Sequence, residues 1–128
     1  MALHYNIREV KDVAVIDLVG HMTLTDAVAF GPEGTGFLLS DIVRNLAEKS
    51  KRKIVLNLAD ISYVDSTGVG ALVRALATAR SHGADLKLLS PVSSVFGLLR
   101  VTKLDKVFDV KDDEAAAVAS FAKPAPGG

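Results

Sequence analysis

The sequence predicts an α/β fold, a single domain in which a mixed β-sheet of about five strands packs with about four helices. Three observations support this prediction. Short apolar runs alternate with segments of helical periodicity through the second half of the chain. Two strand-like segments at the N-terminus are separated only by Lys11-Asp12, which favours an antiparallel hairpin. Each later strand is followed by a helix, and right-handed crossovers then make these strands parallel.

The first two segments are predicted to form the hairpin. Leu3, Tyr5 and Ile7 alternate with polar residues, which predicts a first strand with one buried face. Residues 13–19 are nearly all apolar and predict a second strand, with a tight turn at Lys11-Asp12 between the two.

A glycine-rich stretch at residues 20–36 follows the hairpin. Its glycines and Pro32 favour a loop, and a short helical turn within residues 22–30 is left open. A helix is expected to begin near Gly36 or Phe37. Its apolar face would consist of Leu38, Leu39, Ile42, Val43 and Leu46.

The centre of the chain predicts a buried strand followed by an amphipathic helix. Residues 54–58 are short, apolar and partly β-branched, which fits a strand covered on both faces. Residues 59–64 are expected to form a loop. Helical periodicity then runs from Ser66 to Ser81, and His82-Gly83 is a plausible helix end because glycine tolerates the left-handed conformation.

Two further strand–helix units complete the prediction. Residues 86–89 predict a strand, and Ser90-Pro91 predicts the start of the next helix, since serine caps and proline suits the first turn. Val107-Phe108 is expected to be the last strand. Asp112 or Asp113 is expected to cap a final helix over residues 115–122.

Length and composition limit the classes of protein that fit. The 128 residues suit one domain, predicted over residues 1–122 with a disordered tail at 123–128. Fifteen basic and fifteen acidic residues balance, which argues against direct nucleic acid binding. The chain has no cysteine, shows no signal-peptide pattern, and has no apolar run approaching the roughly 20 residues that span a bilayer. A soluble, cytoplasmic protein without membrane insertion is therefore expected.

Asp65-Ser66-Thr67-Gly68 is the most informative motif, because it stands between a buried strand and an amphipathic helix. Backbone N–H groups and the positive end of the helix dipole favour a phosphate there. A phosphate on Ser66 would add a charge of about −1.5 to −2 close to Asp65. Phosphorylation could therefore change partner binding without refolding the domain. The competing interpretation is structural, since Asp or Ser before a helix is most often only an N-cap.

These residues, with their neighbours, carry a family resemblance. Residues 54–58, the segment 64–70 around the motif, residues 86–88 and residues 101–108 together resemble the domain shared by sulfate transporters and anti-sigma factor antagonists, the STAS domain. The resemblance covers nearly the whole chain and is clearest from Ile54 to Phe108. It implies a STAS-like fold and a soluble, bacterial anti-sigma factor antagonist, which acts in transcription regulation by partner switching.

The resemblance also implies the partners and the site. An anti-sigma factor that is also a serine protein kinase would phosphorylate Ser66, and a serine phosphatase would reverse the modification. The unphosphorylated protein would bind that kinase and so release a sigma factor. Asp65, Ser66, Thr67, Gly68 and Val69 would form the partner-binding surface. No catalysis and no cofactor are expected of this chain, because ATP belongs to the kinase.

The sequence departs from the family pattern at the end of the second strand. Many antagonists carry an acidic residue soon after a glycine there, whereas Gly20 is followed by His21-Met22 and the nearest acid is Asp26. An alternative function is therefore kept open, that of a constitutive scaffold or transporter-associated subunit in which Ser66 is only a helix cap.

An enzyme on a nucleotide-binding α/β fold is the third hypothesis. The glycines at 31–36 are followed by Phe37-Leu38 where a phosphate-binding loop requires Lys and Ser or Thr. Val73 occupies the third glycine position of a dinucleotide fingerprint. The three histidines lack ligand-like spacing, so no metal site is expected.

Overall fold

The computed structural model describes residues 4–22, 29–30 and 37–121. The strands within these residues are β1 (His4–Val10), β2 (Val13–Met22), β3 (Ala29–Phe30), β4 (Phe37–Leu38), β5 (Lys53–Val64), β6 (Asp85–Leu89) and β7 (Val110–Lys111). The helices are α1 (Leu39–Glu48), α2 (Ser66–Ser81), α3 (Ser93–Val101) and α4 (Glu114–Ser120), with a 3-10 turn at Leu104–Lys106.

A five-stranded sheet forms the centre of the molecule, in the order β1-β2-β5-β6-β7. β1 pairs with β2 antiparallel, and the remaining neighbours are parallel. One face of the sheet packs with α1, α2 and α3 around Leu56, Leu72 and other buried residues. The opposite face carries Val15 and Val55, which pack with α4. The predicted mixed sheet and its βα units are therefore confirmed.

The N-terminal hairpin closes as predicted, but β1 lacks the predicted buried face. Val10 pairs with Val13, and Lys11 takes a positive φ of 57° in the two-residue turn. Tyr5 and Ile7 remain 39% and 42% exposed, because β1 is the edge strand and α1 only borders it.

β5 is much longer than the predicted strand, and the predicted loop at residues 59–64 is wrong. β5 stays paired with β2 up to Val64, with register shifts at Asp17/Val19 and Gly20/His21. At each shift β5 contains one more residue than β2, as in a β-bulge. Burial then recurs every third residue, at Leu58, Ile61 and Val64, which hides the two-residue period of a strand.

The segment before α1 also differs from the prediction. Residues 37–38 pair with residues 29–30 as a small antiparallel sheet, so α1 begins at Leu39 rather than at Gly36 or Phe37. The predicted loop and the possible helical turn fall mostly on residues 23–28 and 31–36, which lie outside the described residues.

α3 begins three residues after Ser90, because the predicted capping serine has another partner. Ser90 Oγ donates a hydrogen bond to the carbonyl oxygen of Asp112 at 2.7 Å, and Ser90 N–H donates to Lys111 O at 2.8 Å. These bonds tie Ser90 to the end of β7, and Val92 becomes the N-cap of α3 without a side-chain hydrogen bond.

The last strand lies at Val110–Lys111 and not at Val107-Phe108. The N–H groups of Val107 and Phe108 both donate to Leu104 O, at 3.0 and 2.9 Å, so this segment is a turn. Phe108 is apolar because it is buried in the core.

The final helix is capped by Asp113, which accepts from Ala116 N–H at 3.1 Å. Of the two predicted caps, this one is confirmed. The tail predicted at residues 123–128 lies outside the described residues.

A polar network joins β1, β2 and α4 on the sheet face that α4 covers. Arg8 bonds Asp17 through Nε at 2.6 Å and Glu114 through Nη2 at 2.6 Å. Asn57 Nδ2 donates to Asp17 Oδ1 at 2.8 Å. The hydrogen bond from Arg8, helped by the one from Asn57, holds the pKa of Asp17 below its usual value against the opposing effect of burial.

Candidate functional site

The predicted motif lies at the junction of β5 and α2. Asp65 is the N-cap of α2, and Ser66 is its first helical residue. Asp65 N–H donates to Met22 O at 3.2 Å, which ties the junction to the carboxyl end of β2. The two adjacent strand ends of the sheet therefore fix where α2 starts and where Ser66 stands.

Asp65 uses its carboxylate to cap the helix. Its Oδ1 accepts hydrogen bonds from Thr67 N–H at 2.9 Å and from Gly68 N–H at 3.1 Å. A helix N-terminus leaves four N–H groups without intrahelical partners, and Asp65 satisfies two of them. The structural interpretation of the motif is thus correct for Asp65, and the helix does not depend on Ser66 as its cap.

Ser66 is exposed at the surface. Its hydroxyl makes no hydrogen bond to any residue in the described part of the chain. Within the described residues, no hydrogen bond of the Ser66 hydroxyl would therefore have to break for this oxygen to react.

Gly68 is buried, and the packing requires a glycine at this position. A Cβ atom there would lie 2.1 Å from Met22 O and 2.8 Å from Val64 Cγ1. These distances are too short for any side chain, so Gly68 allows α2 to approach the ends of β2 and β5. Of the five predicted partner-binding residues, Gly68 is the one that does not face solvent, while Asp65, Thr67 and Val69 are partly exposed.

Exposed apolar side chains lie near Ser66 in the sequence and on the same helix. Tyr63, three residues before Ser66, is 56% exposed, and its ring meets the His21 ring edge-on at 6.2 Å between centroids. Val73 is exposed on α2, two turns beyond Ser66. Tyr63 is not among the predicted site residues, because residues 59–64 are expected from the sequence to form a loop, although the sequence has an aromatic residue three positions before Ser66.

α2 carries an uncompensated positive charge. Its sequence contains Arg74 and Arg80 but no acidic residue. Both arginines are exposed, and neither makes an ion pair or hydrogen bond within the described residues. A partner surface with carboxylates opposite α2 would complement this charge.

The described residues contain no cluster of three His, Asp or Glu side chains that could hold a metal ion. Among the described helices, none is both long enough and apolar enough to cross a membrane.

Comparison with known proteins identifies relatives of this fold. The family model of the STAS domain matches residues 4–117. An anti-sigma-B factor antagonist of Listeria monocytogenes is 35% identical over 66 residues, which are 50% of this chain and 58% of that protein. The chain thus spans less than two thirds of this curated relative.

Two solved structures show the same fold. An anti-sigma factor antagonist from Mycobacterium paratuberculosis superposes with a TM-score of 0.74 at 15% identity, covering 95% of this chain and 96% of that one. The Bacillus cell fate determinant SpoIIAA in its phosphorylated form superposes with a TM-score of 0.63 at 15% identity, covering 92% and 99% of the two chains.

Proposed function

The chain belongs to the STAS domain family, and we propose that it is an anti-sigma factor antagonist whose partner binding is switched off by phosphorylation of Ser66. In this proposal the unphosphorylated protein binds an anti-sigma factor that is also a serine kinase, and a sigma factor is released. A serine phosphatase restores the binding form. The protein acts in the cytoplasm by binding and not by catalysis.

One observation carries the proposal. Ser66 is exposed at the start of α2 and its hydroxyl makes no hydrogen bond within the described part of the chain, while the neighbouring Asp65 caps the helix. A serine that only capped the helix would direct its oxygen to the backbone N–H groups of the first turn. Because Asp65 caps α2, the Ser66 hydroxyl is available for modification.

The surroundings of Ser66 fit a switched interface. Tyr63 and Val73 provide exposed apolar surface, and Arg74 provides positive charge. A phosphate would bring a charge of about −1.5 to −2 to this surface, where desolvation and like-charge repulsion oppose docking of an acidic partner. Binding would be lost without any change in the fold.

The names of the relatives agree with this proposal. The Listeria relative is named an anti-sigma-B factor antagonist, and the Bacillus protein of similar fold is known in a phosphorylated form. That the partner of this chain is an anti-sigma factor is part of the proposal.

Binding to the anti-sigma factor kinases of the same organism tests the switch. Ser66→Ala should bind its partner as wild type does, and should no longer lose binding on incubation with ATP. Ser66→Asp and Ser66→Glu should bind at least about tenfold more weakly, a loss of about 1.4 kcal/mol. Equal affinity of the wild type and both acidic variants would contradict the switch.

Peptide mapping of the protein from its native cells provides the second test. We expect to find a phosphate on Ser66, and we expect the phosphorylated fraction to differ between growth and stress. Protein that is unmodified at Ser66 under all conditions would favour a constitutive scaffold or transporter-associated subunit instead.

A further inference from the structure

A phosphate on Ser66 would meet a helix N-terminus that is already partly occupied. Asp65 Oδ1 accepts from Thr67 N–H and Gly68 N–H, so two of the donors that usually bind anions at such a site are taken. The Asp65 side chain also stands next to the phosphate in sequence. The modification therefore calls for a cation from elsewhere on the surface.

The side chain of Arg74 extends along α2 toward Ser66. Its Nη1 atom lies 3.7 Å from the place a Cβ would occupy on Gly70, and among the described residues no other atom comes within 4 Å of that place, apart from the two chain neighbours and the local helix backbone. The guanidinium therefore lies back over Gly70, one helical turn closer to Ser66 than its own Cα. Gly70 lies one helical turn from both Ser66 and Arg74, and it has no side chain that would separate them.

The Arg74 guanidinium is close enough to Ser66 to contact a phosphate there. Ser66 and Arg74 are eight positions apart, or about 12 Å along the helix axis, and the placement over Gly70 brings the guanidinium back by about 5.4 Å. The remaining separation of about 6.6 Å along the helix axis can be bridged by the phosphoseryl side chain and one charge-assisted hydrogen bond of about 2.8 Å.

Arg74 is also available. Within the described residues it makes no ion pair, and α2 provides no acidic side chain that would compete for it. Arg80 is equally exposed and unpaired on the same helix, but it lies six residues further from Ser66.

We propose that Arg74 is the side chain that binds a phosphate on Ser66, across the open surface at Gly70. This inference rests on the proposed phosphorylation of Ser66 and names its intramolecular partner. Arg74 is a positioning residue, which holds the phosphate against α2 and favours its doubly charged form.

The test uses the full chain with phosphoserine incorporated at position 66 during translation, so that it needs no cellular kinase. The pKa of the phosphate is measured by phosphorus NMR titration in low salt. In the Arg74→Gln variant this pKa should rise by about 0.5, as expected for loss of one exposed ion pair. The matched control Arg80→Gln should leave the pKa at the parent value, and Arg74→Lys should restore most of the difference.

Equal phosphate pKa values in the parent, Arg74→Gln and Arg80→Gln would overturn the assignment of Arg74. Apart from the substituted arginine, each variant has the same titratable groups as the parent, so the effects of those groups on the phosphate pKa cancel in this comparison. The phosphate pKa could rise in Arg74→Gln as expected, while Ser66 is never phosphorylated in cells. The proposed function would then fail, but the contact between the phosphate and Arg74 would stand. The two failures are therefore distinguishable.

A variant at Gly70 tests the route of the contact. Within the described residues and outside its own helix backbone, a Cβ at this position contacts Arg74 Nη1 alone, at the ordinary distance of 3.7 Å, so Gly70→Leu should fold. It should raise the phosphate pKa as Arg74→Gln does, because the leucine covers the path to Ser66. An unchanged pKa in Gly70→Leu would overturn the route across Gly70.

Discussion

The residues of the motif at positions 65–68 have separate tasks. Asp65 caps α2 through its carboxylate, and Gly68 permits close packing against Met22 and Val64. Ser66 has neither task and faces solvent. The structural and regulatory interpretations of the motif are therefore compatible, because they apply to different residues.

Gly68→Ala should be strongly destabilising. The new methyl group would lie 2.1 Å from the backbone oxygen of Met22, which cannot move without disturbing the end of β2. We expect a loss of about 1–3 kcal/mol or more in the free energy of unfolding, measured by urea denaturation.

Gly97→Ala is the matched control, since Gly97 lies within α3 and a Cβ there has no described atom within 4 Å other than its chain neighbours and the local helix backbone. This variant should gain about 0.5–1 kcal/mol, because alanine favours helix over glycine. A Gly68→Ala variant as stable as wild type would show that α2 does not need its close approach to the strands.

Bulges and side-chain contacts between strands and helices position the elements of this fold as much as the regular hydrophobic pattern does. The two extra residues in β5 keep it paired with β2 up to Val64, and so bring the start of α2 next to Met22. On the other face, Arg8 links β1 and β2 to α4 through Asp17 and Glu114. These contacts connect elements that are distant in sequence.

The Arg8–Asp17 contact should make stability depend on pH. The pKa of Asp17 is lowered in the folded protein, chiefly by its hydrogen bond from Arg8. The stabilisation is therefore fully present above the unfolded pKa of about 3.9 and is lost as the pH falls through the lower folded value. Asp17→Asn should be less stable than wild type at pH 7, and this difference should shrink toward pH 2.

Urea unfolding at pH 7 and at low pH measures this effect, with Asp12→Asn as the control. Asp12 also has a lowered pKa, through a hydrogen bond from Lys53, but its side chain is well exposed and solvent screens the pair. Its substitution should change stability little at either pH. An equal pH dependence for the wild type and Asp17→Asn would show that Asp17 is not the responsible carboxylate.

At the scale of the whole molecule, the core and the proposed phosphorylation site occupy different parts of the structure. The core lies between the sheet and its helices on both faces, whereas Ser66 lies at the surface where β5 meets α2. Arg74 and Tyr63 are likewise exposed. A change of charge at Ser66 therefore alters a surface without reaching the core.

Ser66→Glu should accordingly keep the stability of the wild type while losing partner binding. We expect the free energies of unfolding to agree within about 0.5 kcal/mol, since Ser66 is exposed and its side chain makes no hydrogen bond to the described residues that the substitution would remove. Thermal and urea unfolding of both proteins, compared with their binding, checks this separation. A markedly destabilised Ser66→Glu would mean that weakened binding reports unfolding instead of regulation.

The sequence by itself determined the order of the helices and of the strands of the main sheet, the central position of residues 54–58 and the start of α2 at Ser66, but not the small β3–β4 sheet. These features depend on local periodicity, turn residues and capping chemistry, which short stretches of sequence contain. Only the tertiary structure decided the length of β5, the start of α3, the position of β7 and the role of Gly68. Each of these depends on a distant partner — β2 for the bulged strand, Asp112 for Ser90, β6 for β7 and Met22 for Gly68 — and such pairings arise only when the chain has folded.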